Sequence, residues 1–126
     1  MTTTPFVIQP GHMSLTDWEH LWRHGKNVMI DPAAKDRVDQ AAMLVSNAAA
    51  GDQPVYGVNT GFGKLASVRI NIDEVQILQR NLILSHCAGV GEPLDVAATR
   101  LMMMLKINSL ARGASGVRWE MIMMLQ

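Results

Sequence analysis

Apolar positions in this chain recur at helical spacing in several stretches, and glycine- or proline-rich breaks separate them. Phe6-Val-Ile-Gln9 is a short extended run closed by the turn pair Pro10-Gly11. Ser14 and Thr16 each suit the N-cap of a first helix, with Asp17 and Glu19 in its opening turn and Gly25 at its end. A second extended stretch occupies 27–30. Asp31-Pro32 then starts a second helix, a capping carboxylate followed by a proline whose missing N–H is no loss in a first turn. Val38, Ala41, Ala42, Val45, Ala48 and Ala49 form its apolar stripe, and Gly51 ends it.

Asn71 or Asp73 opens a third helix, with Val75, Leu78 and Leu82 on one side and Gln76, Gln79 and Arg80 polar. Gly89 and Gly91, ahead of Pro93, are expected to stop it. A fourth helix runs from about Asp95 to Ala111 and is apolar nearly all round, with Leu101-Met-Met-Met-Leu105, Ile107 and Leu110. Gly113-Ala-Ser-Gly116 breaks it, and Ser115 is expected to cap a fifth helix. A helix without a wet face needs neighbours on every side. The last residues, Glu120-Met-Ile-Met-Met-Leu-Gln126, still follow a helical pattern with no stop signal. The pattern therefore predicts an all-α protein with one or two short strands and a glycine-rich loop, in which residues 1–126 form an incomplete domain cut within a helix.

Composition narrows the class. The 126 residues are 48% hydrophobic, enough for a core, and carry 11 acidic and 11 basic side chains. That balance gives no footprint for nucleic acid or an anionic membrane. Cys87 stands alone, so no internal disulfide can form and a reducing cytoplasm is the expected setting. Met1-Thr-Thr-Thr-Pro5 has neither the basic nor the apolar segment of a secretion signal. No stretch reaches the roughly 20 apolar residues of a membrane span.

The densest chemical signal is the loop Pro54-Val-Tyr-Gly-Val-Asn-Thr-Gly-Phe-Gly-Lys-Leu65. Its three glycines permit backbone conformations closed to other residues and allow amides to approach a ligand. Glycine density also points to a mobile lid. Tyr56, the only tyrosine, stands at the start of the loop. To act as a base it must ionise against a free pKa of about 10, which donated N–H groups or a cation favour. The plainer alternative is a packed ring whose hydroxyl bonds a carbonyl. His86, between Ser85 and Cys87, can project from a helix end and hydrogen-bond a substrate ring, or instead serve as a satisfied histidine at a helix terminus. His20 and His24 lie one turn apart but lack a further ligand, so no metal is expected. Cys87 has no activating base in sequence and reads as a small core residue. The glycines match neither a dinucleotide fingerprint nor a Walker loop, because the spacing is wrong and no Ser or Thr follows Lys64.

Val55-Tyr-Gly-Val-Asn-Thr-Gly-Phe-Gly-Lys-Leu65, Leu78-Gln-Arg-Asn-Leu82, Leu84-Ser-His-Cys-Ala-Gly-Val-Gly-Glu-Pro-Leu94 and Leu110-Ala-Arg-Gly-Ala-Ser-Gly-Val-Arg118, in this order, resemble the aromatic amino acid ammonia-lyases. Weaker similarity reaches back to Pro10-Gly11 and Asp31-Pro32. The resemblance implies the all-helical aspartase/ammonia-lyase fold and a homotetramer. It implies elimination of ammonia from an amino acid with a methylidene-imidazolone electrophile, formed autocatalytically from an internal Ala-Ser-Gly. Tyr56 corresponds to the base that removes the β-proton, and Gly63 to a glycine that shapes the site beside it. Ser85-His86 matches the pair that reads the substrate side chain and has the histidine-specific form, which implies L-histidine as substrate and urocanate as product. Tyrosine and phenylalanine lyases tend to carry His-Leu and Phe-Leu there.

Ala114-Ser115-Gly116 has the residue types the electrophile needs, yet it is not assigned that role. In the family the cyclising triad lies further on, in a stretch resembling Gly-Ser-Val-Gly-Ala-Ser-Gly-Asp-Leu, so it is expected beyond Gln126. A helix cap at Ser115 accounts for the nearer one. On this reading the chain alone is inactive. Two alternatives stay open: a tyrosine or phenylalanine lyase or aminomutase, and a short non-catalytic paralogue that binds a helical partner through its apolar helices.

Overall fold

The computed structural model describes residues 4–25 and 27–126, apart from the side chains of Leu65 and Ile72. The leader reading at Met1–Pro5 therefore lies largely outside the described residues, as does the apolar side chain of Leu65. In chain order the elements are β1 (Phe6–Ile8), α1 (Leu15–His24), β2 (Val28–Ile30), α2 (Lys35–Ala50), α3 (Ile72–His86), α4 (Val96–Leu110) and α5 (Trp119–Leu125). Short 3-10 turns occupy Pro32–Ala34 and Gly63–Leu65. The all-α class with two short strands is as expected.

The chain divides into two compact units, Met1–Met43 with Pro93–Gln126, and Leu44–Glu92. In the first, β1 and β2 pair in parallel with Ile8 opposite Ile30. Parallel strands cannot be joined by a tight hairpin, and α1 supplies the connection. Ile8 and Ile30 are buried with Leu21 of α1, Ala34, Val38 of α2, Met104 and Ile107 of α4, Ala111, and Ile122 of α5. Trp18 and Trp119 pack against this cluster.

Local chemistry sets the ends of these helices. Ser14 and Asp17 form a reciprocal capping box at α1: Ser14 Oγ accepts from the Asp17 N–H at 3.2 Å, and Asp17 Oδ2 accepts from the Ser14 N–H at 2.8 Å. These bonds from the Ser14 hydroxyl and N–H hold the Asp17 carboxyl below its ordinary value. Asp31 accepts from the Ala33 N–H at 2.9 Å and so caps the 3-10 turn that leads into α2, rather than α2 itself. Asp95 caps α4 through the Ala98 N–H at 2.9 Å. The Gln126 side chain accepts from the Ile30 N–H at 3.0 Å and ties the end of α5 to β2.

Gly113 stands where no other residue fits without movement. Its φ is +71°, and a Cβ there would lie 2.8 Å from the carbonyl oxygen of Arg37. Arg37 Nε in turn donates to the Ala111 carbonyl at 3.2 Å. Backbone of α2 and the turn after α4 are thus in direct contact.

Three expectations need correction. The N-cap of α5 is Arg118, with no side-chain cap bond, so Ser115 does not cap it. Val117 packs on the core, and that burial draws the chain past Gly116 before the helix begins. The third helix ends at His86 with Cys87 as its C-cap, short of the glycines that were to stop it. Cys87 is exposed rather than a core residue.

The second unit contains the last turns of α2, the glycine loop and α3. An isolated bridge pairs Thr60 with Arg69 and closes the loop on itself. Val75, Leu78 and Leu82 of α3 are half-buried, and Ile77, Ile83 and Leu84 are exposed.

Candidate functional site

Residues 55–58 make the turn that presents Tyr56. The Val58 N–H bonds the Val55 carbonyl at 3.0 Å, and Gly57 in third position has φ +75°. That combination is a type II turn, in which only glycine is comfortable at the third place. Tyr56 stands at the corner, 64% exposed, with its ring edge-on to Phe62 at a centroid separation of 5.9 Å. Among the described residues its hydroxyl makes no hydrogen bond, so the ring is located by the turn beneath it. The N–H groups of Val58, Asn59 and Gly61 are spent within the loop, on the carbonyls of Val55 and Val68. The sequence-based expectation that the loop aims amides outward does not hold for these three.

Asn59 organises the turn, and sequence reasoning did not single it out. It is 1% exposed. Its Oδ1 accepts from the Val55 N–H at 2.7 Å. Its Nδ2 faces the carbonyls of Gln53 at 2.9 Å, Ala48 at 3.1 Å and Gly51 at 3.4 Å. Its own carbonyl accepts from the Ile70 N–H at 3.0 Å. One side chain therefore joins the end of α2, the entry to the loop and its return. The available signal was an amide among glycines, four residues beyond the start of a turn, where Asn habitually bonds local backbone. Thr60 beside it is also 1% exposed and donates to the Gly61 carbonyl at 3.1 Å.

Gly63 opens the 3-10 turn in the left-handed region, φ +57°, with nothing within 4 Å of where a Cβ would stand. Its requirement is conformational rather than steric. Arg69 pairs with Asp52 at 3.0 Å across the base of the loop. A cavity of about 610 Å³ in this unit is lined by Ala50, Arg69, Asn71, Asp73 and Glu74, and includes neither Tyr56 nor His86.

His86 is the last residue of α3 and is exposed, as is Ser85. Its Nδ1 lies 2.8 Å from the Leu82 carbonyl, one turn back, and 3.0 Å from Ser85 Oγ. Ser85 Oγ also donates to that carbonyl, at 3.0 Å. A carbonyl can only accept, so in the neutral imidazole this geometry places the proton on Nδ1 and the lone pair on Nε2. Tyr56 and His86 belong to one unit, but among the described residues no ring contact or hydrogen bond joins them.

The remaining candidates separate cleanly. Ala114 and Ser115 are exposed on the turn between α4 and α5. The rings of His20 and His24 on α1 lie tilted to one another, with centroids 4.6 Å apart. Among the described residues no group of three or more His, Cys, Asp or Glu is placed to hold a metal, and no helix is long and apolar enough to cross a membrane.

Comparison with known proteins adds three findings. A family model described as aromatic amino acid lyase matches residues 13–126. A histidine ammonia-lyase from Roseobacter denitrificans is 58% identical over 111 residues, covering 88% of this chain and 22% of that protein. Among solved structures, the ergothioneine-degrading enzyme ergothionase from Treponema denticola superposes with a TM-score of 0.87 at 27% identity, over 97% of this chain and 24% of its own. Histidine ammonia-lyase from Trypanosoma cruzi does so with a TM-score of 0.81 at 31% identity, over 97% and 23%. The chain thus spans less than a quarter of the length of the relatives it matches.

Proposed function

This chain belongs to the aromatic amino acid lyase family, and from that premise we propose that it supplies the base and the ring-reading residues of a lyase that eliminates ammonia from L-histidine to give urocanate. The observation that carries the reading is the 58% identity to a histidine ammonia-lyase across 88% of the chain. The local geometry of His86 supports the choice of substrate. With Nδ1–H committed to the Leu82 carbonyl at 2.8 Å, Nε2 is an acceptor for an imidazole N–H. An apolar substrate ring would leave that acceptor unpaired.

In this reading the Tyr56 phenolate oxygen takes the proton from the β-carbon of the substrate. The turn at 55–58 fixes where that oxygen stands, and Gly63 keeps the loop beside it free of a side chain. The Ser85 hydroxyl shares the Leu82 carbonyl and steadies the imidazole of His86. A methylidene-imidazolone, where present, supplies the electrophile that activates the amino group; we place its Ala-Ser-Gly source beyond Gln126. The 126-residue chain alone is then inactive, and the active form is a cytoplasmic homotetramer of the longer polypeptide.

The test is kinetic. In the full-length protein that contains this chain, Tyr56→Phe is expected to lower kcat about 100- to 10,000-fold, the range of general base catalysis. His86→Leu is expected to raise KM for histidine about 5- to 150-fold, the equivalent of about 1–3 kcal/mol for a polar group left unpaired. Full activity in Tyr56→Phe, or urocanate production by the 126-residue chain alone, would overturn the reading.

A further inference from the structure

Tyr56 is exposed and makes no hydrogen bond of its own among the described residues, so nothing at its tip decides where the phenol stands. The decision is made one residue earlier. Both backbone polar groups of Val55 are taken by Asn59: the Val55 N–H by Oδ1 at 2.7 Å, and the Val55 carbonyl by the Asn59 N–H at 3.2 Å. The same side chain is anchored through Nδ2 to the carbonyl of Ala48 in the last turn of α2, at 3.1 Å, and to that of Gln53 at the entry to the loop, at 2.9 Å. Asn59 thereby converts a glycine-rich loop into a turn with a fixed origin on a helix.

We propose that Asn59 is a positioning residue for the Tyr56 phenol, setting the distance between the base and the substrate carbon through the Val55–Val58 turn. This rests on the reading of Tyr56 as the base. Asn59 does not touch the reacting atoms. Its contribution is orientation, and a displacement of about 1 Å at a reacting group can cost on the order of 100-fold in rate. An amide suits the task, because one group offers an acceptor to the Val55 N–H and donors to the facing carbonyls.

The experiment is a double-mutant cycle in the full-length enzyme, with L-histidine and its β-deuterated form as substrates. Asn59→Ala is expected to lower kcat roughly 10- to 100-fold while KM stays within about threefold. The primary isotope effect on kcat should rise, because proton removal becomes the slow step, and oligomer size should hold. In a Tyr56→Phe background the same change is expected to cost nothing further. If Asn59→Ala fails to assemble, Asn59→Asp is read in its place. It keeps an acceptor for Val55 but sets an acceptor against the three carbonyls in place of the donors, and the same pattern with a kcat loss at least as large is expected. The inference is overturned if the loss is equally large in the Tyr56→Phe background, if it falls on KM alone, or if either Asn59 variant keeps full kcat and an unchanged isotope effect. Should Tyr56→Phe itself be fully active, the assignment of the base is what fails, and the positioning role falls with it.

Discussion

The segment formed by Met1–Met43 and Pro93–Gln126 buries hydrocarbon: Ile8, Leu21, Ile30, Val38, Met104, Ile107 and Ile122 leave almost no surface to solvent. The segment Leu44–Glu92 buries an amide and a hydroxyl, Asn59 and Thr60. The two are held by different physics. Apolar burial is non-directional and scales with area removed from water, so it tolerates small rearrangement. A buried amide is directional, and each partner it loses is left unsatisfied. The first arrangement suits a scaffold. The second suits a short loop that must present one side chain from a defined place, since it fixes distances that hydrophobic contact leaves adjustable.

The difference can be broken most severely from the apolar side. Ile107, 1% exposed at the centre of the core, is expected to cost about 2–5 kcal/mol when cut to alanine. All three tryptophans, Trp18, Trp22 and Trp119, lie in that unit, so a lower denaturant midpoint in tryptophan fluorescence reads the loss directly. The mirror change is Asn59→Leu, which removes the buried amide and strands the Val55 N–H and its carbonyl partners. A local cost of about 1–3 kcal/mol is expected, seen as faster amide exchange over residues 51–70 and a loosened Tyr56 ring signal. The tryptophan midpoint should move far less than in Ile107→Ala. Equal shifts in both probes would mean the two units do not melt separately.

Smaller effects sharpen the contrast at the scaffold's edge. Ser14→Ala removes the cap of α1 and is expected to cost about 1 kcal/mol, read as lost helicity over residues 15–18 by chemical shifts. Smallest is an acid effect at the same cap. The Asp17 carboxyl is held below its ordinary 3.8 by bonds from Ser14. A group depressed in the folded state adds stability above its unfolded pKa and loses it as pH falls through the folded value. The first turn of α1 should therefore loosen only below about pH 3.8, and Asp17→Asn should remove that dependence. Loosening at pH 5 would point to another group.

Much of the scaffold was legible before any coordinates. The caps at Ser14 and Asp31 are local, a side chain meeting backbone within four residues, whereas of the stripe expected on α2 only Val38 is buried and Val45 is exposed. The candidate site residues Tyr56, Gly63, Ser85 and His86 were named from the family resemblance, and their roles stand as proposals. Asn59 was missed because its partners at Ala48 and Gln53 are carbonyls, which every residue carries and no sequence distinguishes. Ser115 was misjudged for the complementary reason. A capping residue signals only that a helix can begin, and packing of Val117 on the core moved the start to Trp119.

By itself, then, the amino-acid sequence determined the helices, most of their ends and the family, since each follows from short-range hydrogen bonding, periodicity or recognisable side chains. Tertiary structure alone decided that Ile8 lies opposite Ile30 in a parallel pair, that Gly113 meets the backbone of Arg37, and that one buried amide holds the turn under Tyr56. Those are contacts between groups distant along the chain or generic in kind, and closure of the chain upon itself is what selects among them.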